Sequence, residues 1–99
     1  MIPETIPADN PRIHVRREVT TSIHAAGMVM VDSRSGRLFQ SNAAGAVIWQ
    51  GLEARLPLEA IAARICDRFE VALANAREHM ARFLLELERQ SLIEVERRM

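Results

Sequence analysis

The sequence predicts an α+β fold in which a three-stranded antiparallel sheet is followed by three helices. Two patterns support this prediction. Residues 19–41 contain short β-branched or apolar segments separated by turn residues, and residues 42–92 repeat apolar residues at helical spacing. The length of 99 residues restricts the chain to one small domain, because chains of this size rarely form two separate cores.

The strand region consists of three segments joined by short turns. The predicted strands are Val19–Ile23, Met28–Val31 and Arg37–Ser41; Gly27 precedes the second, and Asp32–Gly36 forms the turn before the third. Tight connections of this kind join neighbouring antiparallel strands, so we expect a meander. A sheet this small must bury one face against another part of the chain.

Two helices are predicted after the strands. Asn42 is a suitable N-cap for a helix over Ala43–Gly51, because its side-chain oxygen can accept a hydrogen bond from an N–H of the first turn. Pro57 favours the start of a second helix. Apolar residues mark the faces expected to be buried, namely Val47, Ile48 and Leu52 with Trp49 beside them in the first helix, and Leu58, Ile61, Ala62, Ile65 and Phe69 in the second.

A third helix is predicted after a break at Ala72–Asn75. It ends near Gln90, and Leu92–Val95 is expected to add a short closing strand. Its core face carries Ala76, Met80, Phe83, Leu84 and Leu87.

The two ends of the chain are expected to lie outside the folded domain. Three of the four prolines fall within residues 1–18, and proline fixes φ and removes a backbone donor. We therefore expect a flexible N-terminal arm over residues 1–18, a folded domain over residues 19–95 and a C-terminal tail over residues 96–99.

Composition argues against several classes of function. The 13 arginines balance 13 acidic residues, so the chain lacks the surplus of positive charge that nonspecific nucleic-acid binding requires. No apolar run approaches the roughly 18 residues needed to cross a bilayer, and the first residues lack the pattern of a secretory signal. Cys66 is the only cysteine, which suits a reducing compartment. We therefore expect a cytoplasmic protein that binds neither nucleic acid nor membranes.

The polar residues of the sequence do not have the spacing of a catalytic or metal-binding site. His14, His24 and His79 are scattered along the chain, and no cluster of His, Cys, Asp or Glu has the spacing of metal ligands. Cys66 follows Ile65 in a predicted helix and is expected to be a buried or half-exposed thiol rather than a nucleophile. We expect a binding module without a cofactor, a metal or enzymatic activity.

Several segments together resemble the PqqD family. Residues 34–49 (RSGRLFQSNAAGAVIW) contain a glycine turn, a strand and an Asn-capped helix reaching Ile-Trp, as in that family. Residues 56–62 (LPLEAIA) resemble the start of its second helix, and residues 83–87 (FLLEL) with 91–93 (SLI) resemble its closing segment. The resemblance covers about residues 19–95.

This resemblance implies a RiPP recognition element, a winged-helix-like domain that binds the leader of a ribosomally synthesised, post-translationally modified peptide. In such domains the leader adds as a further strand along the third strand and lies against the third helix. The peptide is thereby presented to a modifying enzyme or leader protease, in pathways that include lasso peptides and pyrroloquinoline quinone. The family usually has Leu before the capping Asn, whereas Ser41 stands there in this chain and removes an apolar contact.

The resemblance and strand geometry together predict a peptide-binding surface on the third strand and the third helix. Side chains alternate along a strand, so one of Leu38 and Phe39 faces the core and the other faces outwards. On the third helix, Arg77, Ala81 and Leu84 share one flank of the core stripe, although Leu84 is equally compatible with the core itself. The predicted peptide-binding residues are Arg37, Leu38, Phe39, Gln40, Ser41, Arg77, Met80, Ala81, Leu84 and Leu85.

Other classes of function stay open beside this one. A winged-helix DNA-binding protein would present excess base on its third helix, whereas the arginines and glutamates between Asn75 and Gln90 cancel. A self-associating domain would pair its exposed strand edge with a second copy as a homodimer, with exchange of residues 1–18 between subunits as an additional option, and this is compatible with peptide binding. Enzymatic activity has the weakest support. The precursor peptide, the product class and the partner enzyme are not legible in the sequence.

Overall fold

A computed structural model describes residues 13–96 of the chain. It confirms the α+β prediction, because a three-stranded antiparallel sheet, β2-β3-β4, is followed by three helices. The parts of the expected arm and tail at residues 1–12 and 97–99 lie outside the described residues. The elements are β1 (Ile13–Val15), β2 (Val19–His24), β3 (Gly27–Asp32), β4 (Leu38–Asn42), α1 (Ala43–Glu53), α2 (Leu58–Phe69), α3 (Leu73–Arg89) and β5 (Ile93–Val95).

The three-stranded sheet is the expected meander, with β3 between β2 and β4. A two-residue loop joins β2 to β3, and the turn from Ser33 to Arg37 joins β3 to β4. Gly27 opens β3 opposite the end of β4, where a Cβ would lie 2.0 Å from the carbonyl oxygen of Ser41. Only glycine therefore allows the two strands to approach so closely at this point.

One backbone hydrogen bond shows which residues of β4 point away from the sheet. The amide of Asp32 donates to the carbonyl of Arg37 at 3.0 Å, so Arg37 bonds inward to β3. Residues of an antiparallel strand alternate between bonding to one side and to the other. Phe39 therefore also bonds inward, and the backbone N–H and C=O groups of Leu38 and Gln40 point to the open edge.

Side chains of β4 alternate between the two faces of the sheet. Phe39 and Ser41 lie opposite the buried Met30 and Met28 of β3, so they point towards the helices. Leu38 points to the other face and is 58 % exposed. The sequence predicts that one of Leu38 and Phe39 faces the core; the structure shows that Phe39 packs against the core and Leu38 faces outwards.

A second sheet joins the two ends of the described chain. β1 pairs antiparallel with β5, with Ile13 opposite Val95 and Val15 opposite Ile93. Residues 13–15 thus form a strand, although they belong to the segment expected to be a flexible arm. The reason is that their alternating apolar residues meet a strand of the same pattern, and Ile13 and Ile93 are buried in the core. The predicted closing strand is confirmed as β5.

α1 packs against the inner face of the meander, and α2 and α3 pack against α1 to complete one core. Asn42 caps α1 as predicted, since its side-chain oxygen accepts a hydrogen bond from the amide of Gly45 at 2.9 Å. Each fully buried large apolar side chain contributes about 2 kcal/mol. The buried helical residues are Ala46, Val47, Ile48, Trp49 and Leu52 of α1, Leu58, Ile61, Ala62 and Ile65 of α2, and Ala76, Met80, Leu84 and Leu87 of α3.

The break between α2 and α3 lies earlier than predicted. The sequence predicts the break at Ala72–Asn75, whereas α3 already begins at Leu73. The chain instead reverses at Glu70, which has a left-handed conformation with φ of 54° and donates its amide to the carbonyl of Cys66 at 2.9 Å. A left-handed residue ends a helix without glycine or proline, so the sequence carries little sign of it.

Asp32 organises the turn that leads into β4. The amide of Arg34 donates to its carboxylate at 3.0 Å, and this bond is the main reason that the pKa of Asp32 is lowered from 3.8. Burial of the carboxylate opposes the shift, while the side chains of Arg34 and Ser35 support it. The carbonyl of Asp32 also accepts from the amide of Gly36 at 2.7 Å. The charged form of Asp32 thus stabilises the folded turn.

We expect Asp32→Asn to make stability less dependent on pH in the acidic range. A carboxylate whose pKa is depressed by folding contributes its stability above the ordinary pKa of 3.8, and the contribution is lost as the pH falls through the lower folded pKa. The melting temperature of the variant should be lower than that of the wild type at neutral pH, and the difference should shrink below pH 3.8. Differential scanning calorimetry of both proteins measures this difference.

Asp67→Asn is the matched control, because Asp67 is exposed on α2 and lies outside the turn. A difference between wild type and Asp32→Asn that stays constant from neutral to acidic pH would contradict the role given to the charge.

Candidate functional site

The open edge of β4 offers backbone groups to an added strand. β4 is the last strand in the order β2-β3-β4, and Leu38 and Gln40 direct their N–H and C=O groups away from β3. An extended peptide can satisfy such groups by pairing along the edge.

Two sets of contacts place α3 alongside this edge. At one end, Nη2 of Arg37 donates to Oε1 of Gln90 at 3.2 Å. At the other end, Ser41 and Phe83 approach the same glycine, because a Cβ at Gly45 would lie 2.8 Å from the Ser41 side chain and 3.0 Å from Cζ of Phe83. β4 and the C-terminal half of α3 therefore run antiparallel and form the two sides of what we call the β4–α3 groove.

The β4–α3 groove combines an aromatic surface with a polar bridge at one end. Phe39 packs against the core, and the guanidinium of Arg37 lies 5.1 Å from the centroid of its ring. Gln90, which accepts from Arg37, donates through Nε2 to Oε2 of Glu86 at 2.8 Å. These side chains connect β4 with α3 across the groove and limit its extent at the Gln90 end.

A pocket of about 330 Å³ opens towards the other end of the groove. Ala44, two residues beyond the end of β4, forms part of its wall, and His79 and Arg82 continue the α3 flank that carries Phe83. The lining is mostly apolar on the α2 side and polar on the α3 side. Its residues are Ala44, Ile65, Phe69, Val71, Asn75, Ala76, Glu78, His79 and Arg82.

His79 brings a polar atom to this pocket that lacks a partner among the described residues. Its Nε2 is buried and makes no hydrogen bond to any of them. Burying a polar atom unsatisfied costs about 1–3 kcal/mol, so such atoms are uncommon. A ligand group that donates to Nε2 or accepts from it would remove that cost.

The predicted site residues of the third meander strand lie together along β4 and the residue before it. Residues 37–41 line the groove, with Arg37, Phe39 and Ser41 on the helix side and Leu38 and Gln40 presenting their backbone to the edge. Two predicted α3 residues are buried in the core, because Met80 is 5 % exposed and Leu84 is 0 % exposed.

The other predicted α3 residues lie on the flank opposite to the groove. The guanidinium of Arg77 binds the carboxylate of Glu59 on α2, with N–O distances from 2.8 to 3.3 Å. These hydrogen bonds raise the pKa of Arg77 above its usual range. At about 100° per residue, Ala81 and Leu85 fall on the Arg77 flank rather than with Phe83. Leu85 is 43 % exposed there.

The α3 residues that do face the groove are absent from the predicted site. Phe83 is part of the predicted core face, and it does pack against the core with part of its surface. His79 and Gln90 carry no motif. The core stripe of α3 has two flanks of similar composition, and the Arg37–Gln90 contact that distinguishes them joins residues 53 positions apart.

Ser41 defines the junction between the groove and α1. Its hydroxyl donates to the carbonyl of Asn42 at 3.1 Å, and its side chain lies next to Gly45. Two small residues thus meet at a position where a Leu would add bulk. Phe83, reaching in from α3, supplies the aromatic surface at this point.

Residues 13–96 contain neither a cluster of metal ligands nor a membrane-spanning helix. No group of three or more His, Cys, Asp or Glu side chains in this range is arranged to hold a metal ion. None of the helices in this range has the length and apolar character needed to cross a bilayer. Cys66 is a free, half-buried thiol on α2.

We expect His79→Leu to leave the free energy of unfolding unchanged or to raise it by about 1 kcal/mol, because leucine removes an unsatisfied polar atom and retains apolar packing. Urea denaturation followed by circular dichroism measures the change. The matched variant His24→Leu alters an exposed histidine and should give no gain. A loss of more than about 1 kcal/mol for His79→Leu would show that Nε2 is satisfied in the folded protein.

The chain is similar to known proteins in sequence and in structure. The family model described as "Coenzyme PQQ synthesis protein D (PqqD)" matches residues 27–93. A solved structure of lasso peptide synthetase B1 complexed with the leader peptide has a TM-score of 0.73 and 26 % identity, over 83 % of this chain and 96 % of that chain. TbiB1 in complex with the TbiA(beta) leader peptide has a TM-score of 0.74 and 25 % identity, over 82 % and 94 %. No curated protein matches the chain.

The family match extends over about two thirds of the sequence. It runs from Gly27, which opens β3, to Ile93 at the start of β5, and so includes both β4 and α3. Because the matched region holds both sides of the groove together with the core that supports them, the chain belongs to the PqqD family.

Proposed function

We propose that this chain binds the leader segment of a ribosomally synthesised precursor peptide as an added strand along β4. The bound peptide is presented to a modifying enzyme or a leader protease. The observation that carries the proposal is the open edge of β4, where Leu38 and Gln40 direct backbone groups into a groove flanked by α3.

The comparisons support this proposal. Both similar structures are described as complexes with a leader peptide, and the similarity extends over 96 % and 94 % of those chains. The likeness therefore applies to the whole neighbouring domain rather than to a shared fragment. A lasso peptide precursor is accordingly the first class of ligand to test.

Backbone pairing would supply affinity that depends little on the sequence of the peptide. Each hydrogen bond to Leu38 or Gln40 contributes about 1 kcal/mol net. Side chains of an added strand alternate between faces, so every second one points towards α3. Those residues would contact Phe39, Ser41 and Phe83, and they would determine which peptides fit the groove.

The pocket would select one anchoring side chain of the peptide. Its apolar wall, which includes Ile65 and Phe69, favours an apolar or aromatic group, and Nε2 of His79 favours a group with a hydrogen-bonding atom at its tip. Retaining an unsatisfied atom lowers the stability of the free protein. Such a compromise between stability and function is common at binding sites.

The proposal gives this chain no chemical step of its own. Residues 37–41 and the groove flank of α3 bind and orient the peptide, while bond making and breaking belong to the partner enzyme. Because precursor peptides are made on ribosomes and modified before export, a cytoplasmic location is part of this proposal.

We expect Gln40→Pro to weaken leader binding at least tenfold while leaving the fold intact. Proline removes the N–H of Gln40, which points to the open edge, and edge strands tolerate proline where the lost donor faces outwards. The pairing of β3 with β4 keeps its hydrogen bonds. Fluorescence polarisation with labelled synthetic leader peptides, encoded by short genes adjacent to this one, measures the change in affinity.

Thr21→Pro is the matched control, because it places the same residue on the edge of β2, on the far side of the sheet. It should bind leader peptides as the wild type does. Absence of binding by the folded wild-type protein at about 100 μM peptide would refute the proposal.

The same titration distinguishes the two flanks of α3. Phe83→Ala should weaken binding, because its ring lies beside β4. Arg77→Ala and Leu85→Ala test the flank predicted from the sequence. Loss of affinity in these two variants, with Phe83→Ala unaffected, would place the peptide on the Arg77 side instead.

A further inference from the structure

Arg37 lies at one end of the β4–α3 groove, and most of its hydrogen-bonding capacity is unused. An arginine side chain carries five N–H donors and binds a carboxylate well through two of them. Here the side chain donates only through Nη2 within residues 13–96, to the neutral Oε1 of Gln90 at 3.2 Å. Arg37 takes part in none of the ion pairs formed in this range. Its guanidinium is therefore a positive charge without a carboxylate partner in the described part of the chain.

Contacts of both the backbone and the side chain hold this charge in position. The amide of Arg37 donates to Oγ of Ser35 at 3.2 Å, and its carbonyl accepts from the amide of Asp32 at 3.0 Å. The guanidinium lies 5.1 Å from the centroid of the Phe39 ring, within the range of a cation–π contact. A group that is already held in place loses less conformational freedom when it binds a ligand. Arg37 is thus prepared to receive an anionic group.

The register of an added antiparallel strand brings one peptide side chain next to this guanidinium. Arg37 bonds inward to β3, so a peptide residue opposite it forms a non-hydrogen-bonded pair. In such pairs the two side chains lie closest across the strands. The side chain of this peptide residue also faces α3, because Arg37 shares the helix side of the sheet with Phe39 and Ser41. The residue is two positions along the peptide from the one opposite Phe39.

The acidic neighbour on α3, Glu86, is bound to other side chains. Its Oε2 accepts from Nε2 of Gln90 at 2.8 Å, and its Oε1 lies 3.8 Å from Nη1 of Arg89. Gln90 thus stands between the Glu86 carboxylate and the Arg37 guanidinium, and it offers Arg37 a neutral acceptor. Hydrogen bonds between two charged groups are about twice as strong as neutral ones. A carboxylate that arrives with a peptide is therefore favoured over Gln90 as the partner of Arg37.

We propose that Arg37 binds an acidic side chain of the leader peptide, which displaces Gln90 from the guanidinium. This inference rests on the proposed function and adds a chemical class to it, because the peptide must carry Asp or Glu at the position opposite Arg37. The carboxylate accepts two hydrogen bonds from the guanidinium, while Gln90 keeps its bond to Glu86. The Gln90 end of the groove thus selects peptides by charge.

A double-mutant cycle between the protein and the peptide tests this contact. The protein change is Arg37→Gln, which removes the charge and keeps a polar side chain. The probe is the tightest-binding leader peptide of the fluorescence polarisation titration, with each Asp or Glu replaced singly by Asn or Gln. Arg37→Gln should raise the Kd of the unmodified leader about 3- to 5-fold, as loss of an exposed ion pair does. It should leave the Kd unchanged for the peptide that lacks the acidic residue opposite Arg37.

Gln90→Glu tests the displacement. Its carboxylate would bind the guanidinium from within the chain and compete with the peptide, so the Kd of the unmodified leader should rise about 3- to 5-fold. Gln50→Glu is the matched control, because it makes the same change at an exposed position of α1. Arg64→Gln, at an exposed position of α2, is the control for Arg37→Gln. Both controls should bind the leader as the wild type does, and circular dichroism confirms that each variant is folded.

The results separate this inference from the proposed function. Coupling between Arg37→Gln and one acidic residue of the leader supports the contact. The contact is overturned, and the proposed function left intact, if the bound leader contains no Asp or Glu, or if Arg37→Gln changes the Kd of every peptide equally or not at all. Equal losses in Gln50→Glu and Gln90→Glu would overturn the displacement by assigning the effect to overall charge. Absence of binding of any leader to the folded wild type would overturn both proposals.

Discussion

The antiparallel pairing of β3 with β4 is the constraint on which the candidate site depends. The backbone of Phe39 hydrogen-bonds to β3. Because bonding alternates along a strand, the backbone N–H and C=O groups of Leu38 and Gln40 must then point outwards. Both ends of the pairing are anchored, by the Asp32 turn at one end and by the close approach at Gly27 at the other. A slip of one residue would exchange the faces of β4, expose Phe39 and bury Leu38. The register therefore decides both the core and the open edge.

The groove exists because α3 flanks this edge without covering it. The core stripe of α3, with Met80 and Leu84 at its centre, holds the helix against α2, α1 and β5. The neighbouring flank then lies beside β4, with the Arg37–Gln90 hydrogen bond at one end and the approach of Phe83 and Ser41 to Gly45 at the other. Among residues 13–96, the outward backbone groups of Leu38 and Gln40 have no strand beside them, and Nε2 of His79, one helical turn beyond Phe83, has no hydrogen-bond partner. A rigid core thus supports a surface whose own hydrogen bonds are incomplete, as a binding site requires.

Much of the fold follows from local pattern. The three strands of the meander differ from their predicted bounds by one residue at most, and Asn42 caps α1 because its side-chain chemistry suits the first turn. The break before α3 was misplaced, because Glu70 adopts a left-handed conformation that glycine usually marks. The strand β1 was not predicted, because an apolar pattern of three residues does not indicate a strand unless its partner β5, near the other end of the chain, is known. That residues 37–41 form a strand was predictable from the same pattern, whereas their role in binding a peptide rests on the family resemblance and stays a prediction; the groove-facing residues of α3 were not predicted.

The sequence by itself determined which segments are strands and helices, which faces are apolar, and that the chain resembles the PqqD family. Turn chemistry, capping and periodicity act over a few residues, so they are legible without a structure. The tertiary structure alone decided which flank of α3 lies beside β4, because that depends on how two helices and a sheet pack together. It also decided that Arg77 binds Glu59 rather than facing the groove, and that Nε2 of His79 is buried without a hydrogen-bond partner in the described part of the chain. Contacts between residues that are far apart in the chain produce no periodic pattern in the sequence.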